Sequence, residues 1–215
     1  MNLNQALQDA ESSRRAKRDP ALTAKMDKAT DDLAASGMVD SSLKEGELAP
    51  DFTLPNVKGE QVSLQNVLKD GPVVLSFYRG GWCPYCNLEL RYLQQFLPQF
   101  QAAGATLIAV SPQTPDASLS TAEKEGLEFE VLSDVGNKVA RSYGLVFKLP
   151  ESLHAMYGNP EGINLAKDNG DKSFELPVPA TYLLDTQGKV RYAFAHPDYT
   201  KRADPEAVLA ALKEL

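Results

Sequence analysis

Cysteine is scarce in this chain. Two occur among 215 residues, Cys83 and Cys86, and histidine is as rare, with only His154 and His196. A structural zinc site takes about four Cys or His ligands and a catalytic one about three. Neither histidine stands at finger spacing from the cysteines. An iron–sulfur cluster usually takes four cysteines, which one such chain cannot supply. Metal and cofactor chemistry are therefore not expected. Long apolar runs are missing too, and nothing approaches the roughly 18–20 residues of a membrane-spanning helix. Residues 1–12 are polar and lack the apolar core of a secretory signal. Basic residues are outnumbered, 22 Lys and Arg against 29 Asp and Glu, for a net charge of −7. Phosphate binding needs a basic face, so neither nucleic acid nor an anionic membrane surface is an expected partner. The expected compartment is the cytoplasm, where structural disulfides are rare. A cysteine pair there points to redox chemistry before it points to a staple.

What is present describes an ordinary globular protein. Hydrophobic residues make up 43% and charged residues 24%, and the length suits one domain with an extension. We divide it into a helical extension, residues 1–46, and a main domain, residues 47–215. In the extension Leu3, Leu7 and Ala10 share one helical face, Asp19-Pro20 interrupts the run, and Leu22, Met26, Ala29 and Leu33 form a second face ending at Gly37. Such an arm packs on its own domain or on a second subunit, which leaves a homodimer open.

The main domain alternates strand and helix. Residues 51–64 read as a hairpin turning at Lys58-Gly59. Residues 72–78 and 105–111 read as buried strands, residues 129–132 as a short one, and residues 117–125, 138–143 and 150–157 as helices. Residues 84–103 read as a long helix, because Cys86, Leu90, Leu93, Leu97 and Phe100 recur at steps of four and three. Residues 158–177, rich in Gly, Asn, Asp and Lys, read as a surface insertion. Residues 181–185 and 190–195 form a hairpin across Thr186-Gln187-Gly188, and a last helix starts from Asp204 as N-cap with Pro205 behind it. The pattern predicts an α/β fold with a mixed sheet and helices on both faces.

Both cysteines fall in Trp82-Cys83-Pro84-Tyr85-Cys86, between a buried strand and the long helix. A helix N-terminus presents free N–H groups and partial positive charge. That favours thiolate over thiol, and the thiolate is the nucleophile. Cys83-Pro84-Tyr85-Cys86 resembles the redox tetrapeptide of glutaredoxins, and Trp82 before it resembles thioredoxins. Val178-Pro179-Ala180-Thr181-Tyr182 resembles the loop of the thioredoxin fold that carries a cis-proline facing the cysteines.

The wider domain resembles the AhpC/TSA family, the alkyl hydroperoxide reductase and thiol-specific antioxidant peroxiredoxins of the thioredoxin superfamily. Residues 49–54 look like their opening strand. Phe77-Tyr78 and Glu89 flank a cysteine as in their peroxidatic segment, without a gap, and residues 108–112, 132–134 and 139–144 match further on. The resemblance implies a thioredoxin-like fold and reduction of hydrogen peroxide or organic hydroperoxides. It also implies recycling by thioredoxin, glutaredoxin or glutathione. The ungapped match makes Cys86 the peroxidatic cysteine, with Cys83 resolving. The thioredoxin match makes Cys83 the attacking thiol of a disulfide oxidoreductase. A redox-regulated binding module is a third reading.

Three supporting positions depart from the peroxiredoxin pattern. Arg79 stands in place of a proline, Cys83 in place of a threonine, and Pro179 in place of an arginine. Arg79 could restore the lost positive charge, though an arginine at a strand end is more often a surface or ion-paired residue. Trp82 either covers the thiols or packs on the domain. Gly80-Gly81 eases the strand-to-helix turn or lets backbone N–H groups approach substrate. Glu89 favours the helix dipole or acts on thiol protons, the former being the plainer reading. His154 and His196 read as surface residues. The segment from His196 to Arg202 could fold over the active end and bring Tyr199 or Arg202 to substrate, the less favoured of its readings.

Overall fold

The structure is a computed structural model, described here for residues 2–215. Its centre is a five-stranded sheet in the order β5-β4-β3-β8-β9. The strands are β3 Val73–Phe77, β4 Thr106–Ser111, β5 Glu130–Ser133, β8 Ala180–Leu184 and β9 Val190–Ala195. β3, β4 and β5 run parallel, while β8 is antiparallel to β3 and to β9. The expected mixed sheet is therefore present. β3 and β8 lie inside the sheet and are buried along their whole length, which is why they read as unbroken apolar runs rather than alternating ones.

Alternation along the strands feeds two cores. Leu75, Phe77, Ile108, Val110, Leu132 and Tyr182 face one side, covered by Phe52, Leu54, Leu64 and Tyr143. These come from the hairpin β1 Thr53–Pro55 with β2 Gln61–Ser63 and the residue that leads into it, from α3 Leu64–Val67, and from α6 Lys138–Ser142 with its C-cap. Val74, Leu107 and Leu183 face the other side, under Leu93, Leu97 and Phe100 of α4 Pro84–Ala102 and Val208, Leu209 and Leu212 of α9 Pro205–Leu212. The Asp204 side chain accepts from the Glu206 N–H as the cap of α9. α5 Pro115–Glu125 covers β5 beside α4.

The arm forms two helices, α1 Leu3–Lys17 and α2 Pro20–Ala35, and then a 3-10 turn, Met38–Ser41. Asp19 caps α2 by accepting from the Leu22 N–H, with Pro20 at the first helical position. Both helices pack on their own chain. α1 lies across α4 and buries Leu3 and Leu7 against Tyr85, Cys86 and Leu90. Each such leucine contributes about 1.5–3 kcal/mol on burial. α2 buries Met26 against Leu149, Leu153 and Tyr157.

Residues 158–177 are not a plain surface insertion. After β6 Val146–Lys148 and α7 Glu151–Tyr157 they contain α8 Leu165–Asp168 and β7 Glu175–Pro177, and β7 pairs antiparallel with β6. Leu165 and Leu176 are buried in the same cluster as Met26. The few apolar residues of this polar stretch follow no regular period, so this packing was not readable from the sequence. Among the described residues no helix is long and apolar enough to cross a membrane.

Candidate active site

β3 ends at Phe77, and the chain passes through Tyr78-Arg79-Gly80-Gly81-Trp82 to Cys83, the N-cap of α4, with Pro84 at the first helical position. The glycines let this link fold back. Gly80 has φ +147°, and a Cβ there would stand 2.4 Å from Trp82 Nε1. A Cβ on Gly81 would stand 2.1 Å from Thr121 Oγ1. The Gly81 N–H donates to Gln113 Oε1 at 2.8 Å, and Asn87 Nδ2 donates to the Gly81 carbonyl at 2.9 Å. The glycine pair thus makes the turn tight rather than opening it to substrate.

Cys83 and Cys86 are free thiols, 1% and 0% exposed. Leu3 and Leu7 of α1 lie in their apolar cluster, and Tyr85 donates a hydrogen bond to Glu11 of the same helix. Trp82 stands edge-on to Tyr157, and with Cys83 it lines a cleft of about 150 Å³. It does both things the sequence left open, covering the thiols and packing on the domain.

The positive charge at the sulfur comes from Arg202. Its Nη2 donates to Cys86 Sγ at 3.3 Å and its Nε to Glu89 Oε2 at 2.5 Å. Its Nη1 donates to the carbonyls of Tyr199 and Lys201 at 2.5 and 2.7 Å. Both side chains of the ion pair are buried, 1% and 2% exposed. Glu89 is therefore no helix-dipole residue. It clamps Arg202, and the segment after β9 does fold over the active end. The sequence carried a partial signal for Arg202, since the segment from His196 to Arg202 was one that could fold over the active end.

Arg79 is not a surface or ion-paired residue. It is 2% exposed, its Nη2 donates to the Tyr157 hydroxyl at 2.7 Å, and its guanidinium carbon lies 4.7–5.5 Å from the ring centroids of Trp82, Tyr157 and Tyr199. Pro179 is buried and lines a cavity that also touches Arg79. Its peptide is trans, since no cis bond occurs among the described residues. The expected cis-proline is thus corrected. Trans is the lower-energy isomer of an X–Pro bond, and here it carries the chain directly from β7 into β8. The histidines lie elsewhere. His154 stacks on Phe174 and bonds the Leu149 carbonyl, and His196 Nδ1 accepts from the Asp198 N–H.

Electrostatics divide the two thiols. Burial alone would push Cys83 up. A hydrogen bond from the Cys86 thiol and the charges of Arg79 and Arg202 outweigh it, and bring Cys83 down to about 5. Burial pushes Cys86 well up, and the neighbouring Cys83 adds to that. The pair therefore shares one proton and one negative charge at neutral pH, titrating as a unit. Glu89 is pushed up by burial to about 7 against the pull of Arg202. Such a site can offer one thiolate, deliver a proton, and close a disulfide between groups three residues apart.

Relatives share this frame. The AhpC/TSA family pattern matches residues 46–193. A chloroplastic peroxiredoxin Q of Triticum aestivum is 31% identical over 161 residues, 75% of this chain and 63% of its own length. Peroxiredoxin Bcp of Escherichia coli is 28% identical over 172 residues, 80% of this chain and 97% of its own length. The crystal structure of peroxidoxin BcpB from Mycobacterium tuberculosis superposes with a TM-score of 0.63 at 24% identity, covering 80% of this chain and 98% of that one. That likeness speaks to the thioredoxin-like fold. The family pattern takes in both cysteines and most of the sheet, and the chain belongs to the AhpC/TSA family.

Proposed function

We propose that this protein is a thiol peroxidase that reduces hydrogen peroxide or organic hydroperoxides through Cys86 and Cys83. The observation that carries the reading is the Arg202 guanidinium on Cys86 Sγ. As the thiolate attacks one peroxide oxygen, the O–O bond breaks and charge moves to the departing oxygen. A donor already aimed at that region stabilises the charge as it develops. Cys86 becomes a sulfenic acid, and the departing oxygen leaves as water or alcohol after taking a proton. Cys83 then attacks the sulfenic sulfur, water leaves, and a Cys83–Cys86 disulfide closes. An external dithiol of the thioredoxin or glutaredoxin class, or glutathione, restores both thiols. A reducing compartment such as the cytoplasm suits this cycle.

A second reading rests on the depressed Cys83 thiol. Cys83 caps α4 and lines the cleft, the placement of an attacking thiol in disulfide exchange. Stopped-flow oxidation of the reduced protein by hydrogen peroxide, followed by Trp82 fluorescence, separates the two. A fast phase lost in Cys86→Ser and kept in Cys83→Ser supports the peroxidase led by Cys86. A rate no better than that of a free thiol, with rapid reduction of a protein disulfide lost in Cys83→Ser, supports the exchange enzyme.

A further inference from the structure

Arg79 is a buried cation to which the chain gives no carboxylate. None of the ion pairs among the described residues includes it, and its Nε–H has no acceptor. Three ring faces offset part of the desolvation, at about 0.5–2 kcal/mol each, against an effective cost of several kcal/mol for a buried ion. Besides the Tyr157 hydroxyl, the groups whose negative charge acts on Arg79 are the two cysteines.

Arg79 also lines a cavity of about 230 Å³ between α2 and the β6–α7 unit. Its walls are mostly apolar, with Ala29 and Leu33 on α2 facing Phe147, Leu149 and Leu153. The α2 wall comes from residues outside the family match at 46–193. The lining also includes Asp32 and Lys148, and a buried guanidinium with an unpaired Nε–H beside apolar walls suits a singly charged head on an aliphatic tail.

We propose that this cavity binds a small aliphatic carboxylate, its head on Arg79 and its tail between α2 and α7, and that the disulfide form binds it more tightly than the dithiol form. In the dithiol form the thiolate already balances Arg79, and a bound carboxylate would add a second negative charge beside it. Oxidation removes the first. A thiolate, a thiol and a hydroperoxide give a disulfide, an alcohol and hydroxide, so the negative charge of the pair leaves with the hydroxide. Arg79 is then a buried cation without an anion, and the carboxylate supplies one. Coupling of this kind is reciprocal, so the ligand also makes the disulfide harder to reduce. The site itself does not depend on the peroxidase reading, and the redox preference requires only that the pair can form a disulfide.

Titration of octanoate into the reduced protein and into the protein oxidised with diamide tests this, by calorimetry and by Trp82 fluorescence, with octanamide as the uncharged control. Saturable octanoate binding is expected in the disulfide form, at least tenfold tighter than in the dithiol form, with octanamide at least tenfold weaker. Arg79→Gln removes the cation, and Ala29→Phe fills the cavity with Arg79 intact. Each is expected to weaken binding at least tenfold. Absence of saturable binding, octanamide binding as well as octanoate, equal affinity in both redox states, or unchanged binding in a folded Ala29→Phe protein each overturns the proposal.

Discussion

Arg202 joins Cys86 to Glu89, with one nitrogen 3.3 Å from the sulfur and another 2.5 Å from the carboxylate. The three groups come from the first two turns of α4 and from the segment after β9. A planar fork can make both contacts at once, whereas an ammonium is a point charge on a flexible stem. In Arg202→Gln the second-order rate constant with hydrogen peroxide is expected to fall by about 100-fold or more, the usual loss when a donor to developing charge is removed. Arg202→Lys is expected to recover little of it. Single-turnover oxidation measures both, and an Arg202→Gln rate within threefold of the wild type would remove Arg202 from the reaction.

Glu89 holds that guanidinium away from water. Removing one partner of a buried ion pair leaves the other uncompensated, at a cost of about 3–5 kcal/mol. Glu89→Gln keeps the shape and removes the charge. Burial raises Glu89 to about 7 against the pull of Arg202, so at pH 8 relief of the buried carboxylate offsets the loss of the partner, and denaturant unfolding of the reduced protein is expected to show a cost well below that range. The double variant Glu89→Gln with Arg202→Met should lose less than the two single losses added together, because the stranded charge is gone.

The Cys83 thiol sets a pH signature. Its folded value of about 5 lies below its unfolded value of about 8.5. Between these the unfolded chain binds more protons, so stability rises with pH. From about pH 4 until pH has risen past 7 Glu89 acts in the opposite sense, because its value is raised on folding. Between about pH 7 and 8 that opposition fades, and the Cys83 slope outweighs both it and the small counter-slope of the raised Cys86. The reduced protein should therefore gain stability over that interval, and Cys83→Ser should not. Ultraviolet thiolate absorbance should show one thiolate per dithiol pair already formed at pH 7.

α1 closes the site. Leu7 is 3% exposed and packs in the cysteine cluster. Leu7→Ala is expected to cost about 2–5 kcal/mol in stability, and to raise the rate at which an aromatic disulfide reagent modifies the native thiols by tenfold or more. Tyr85→Phe, which removes the hydroxyl that bonds Glu11 and Arg18, should raise that rate by a smaller factor with little change in stability. Equal rates in all three proteins would show that access to the thiols does not involve α1.

Much of the frame was legible in the chain. The apolar run of β3, the four-and-three spacing of α4 and the Asp204-Pro205 cap are signals carried within a few residues, and each element forms where its pattern lies. The same holds for the two arm helices broken at Asp19-Pro20. The β6–β7 ribbon escaped notice because three-residue strands in polar sequence have too little periodicity to register.

The chain by itself determined that two thiols sit at a strand-to-helix junction, because backbone geometry and helix polarity there depend on neighbours in sequence. Its resemblance to the family also implied that Pro179 stands where the family's arginine would be. Only the tertiary structure decided what replaces that arginine. Arg202 reaches Cys86 across 116 residues and Glu89 across 113, a closure that depends on how the segment after β9 docks on α4. The fold likewise placed Arg79 among three rings instead of in water, and Leu3 and Leu7 over the cysteines. Those outcomes arise from burial. Whether a charge stays hydrated, meets a partner or is left alone is set by what packs around it, and no local pattern of residues specifies that.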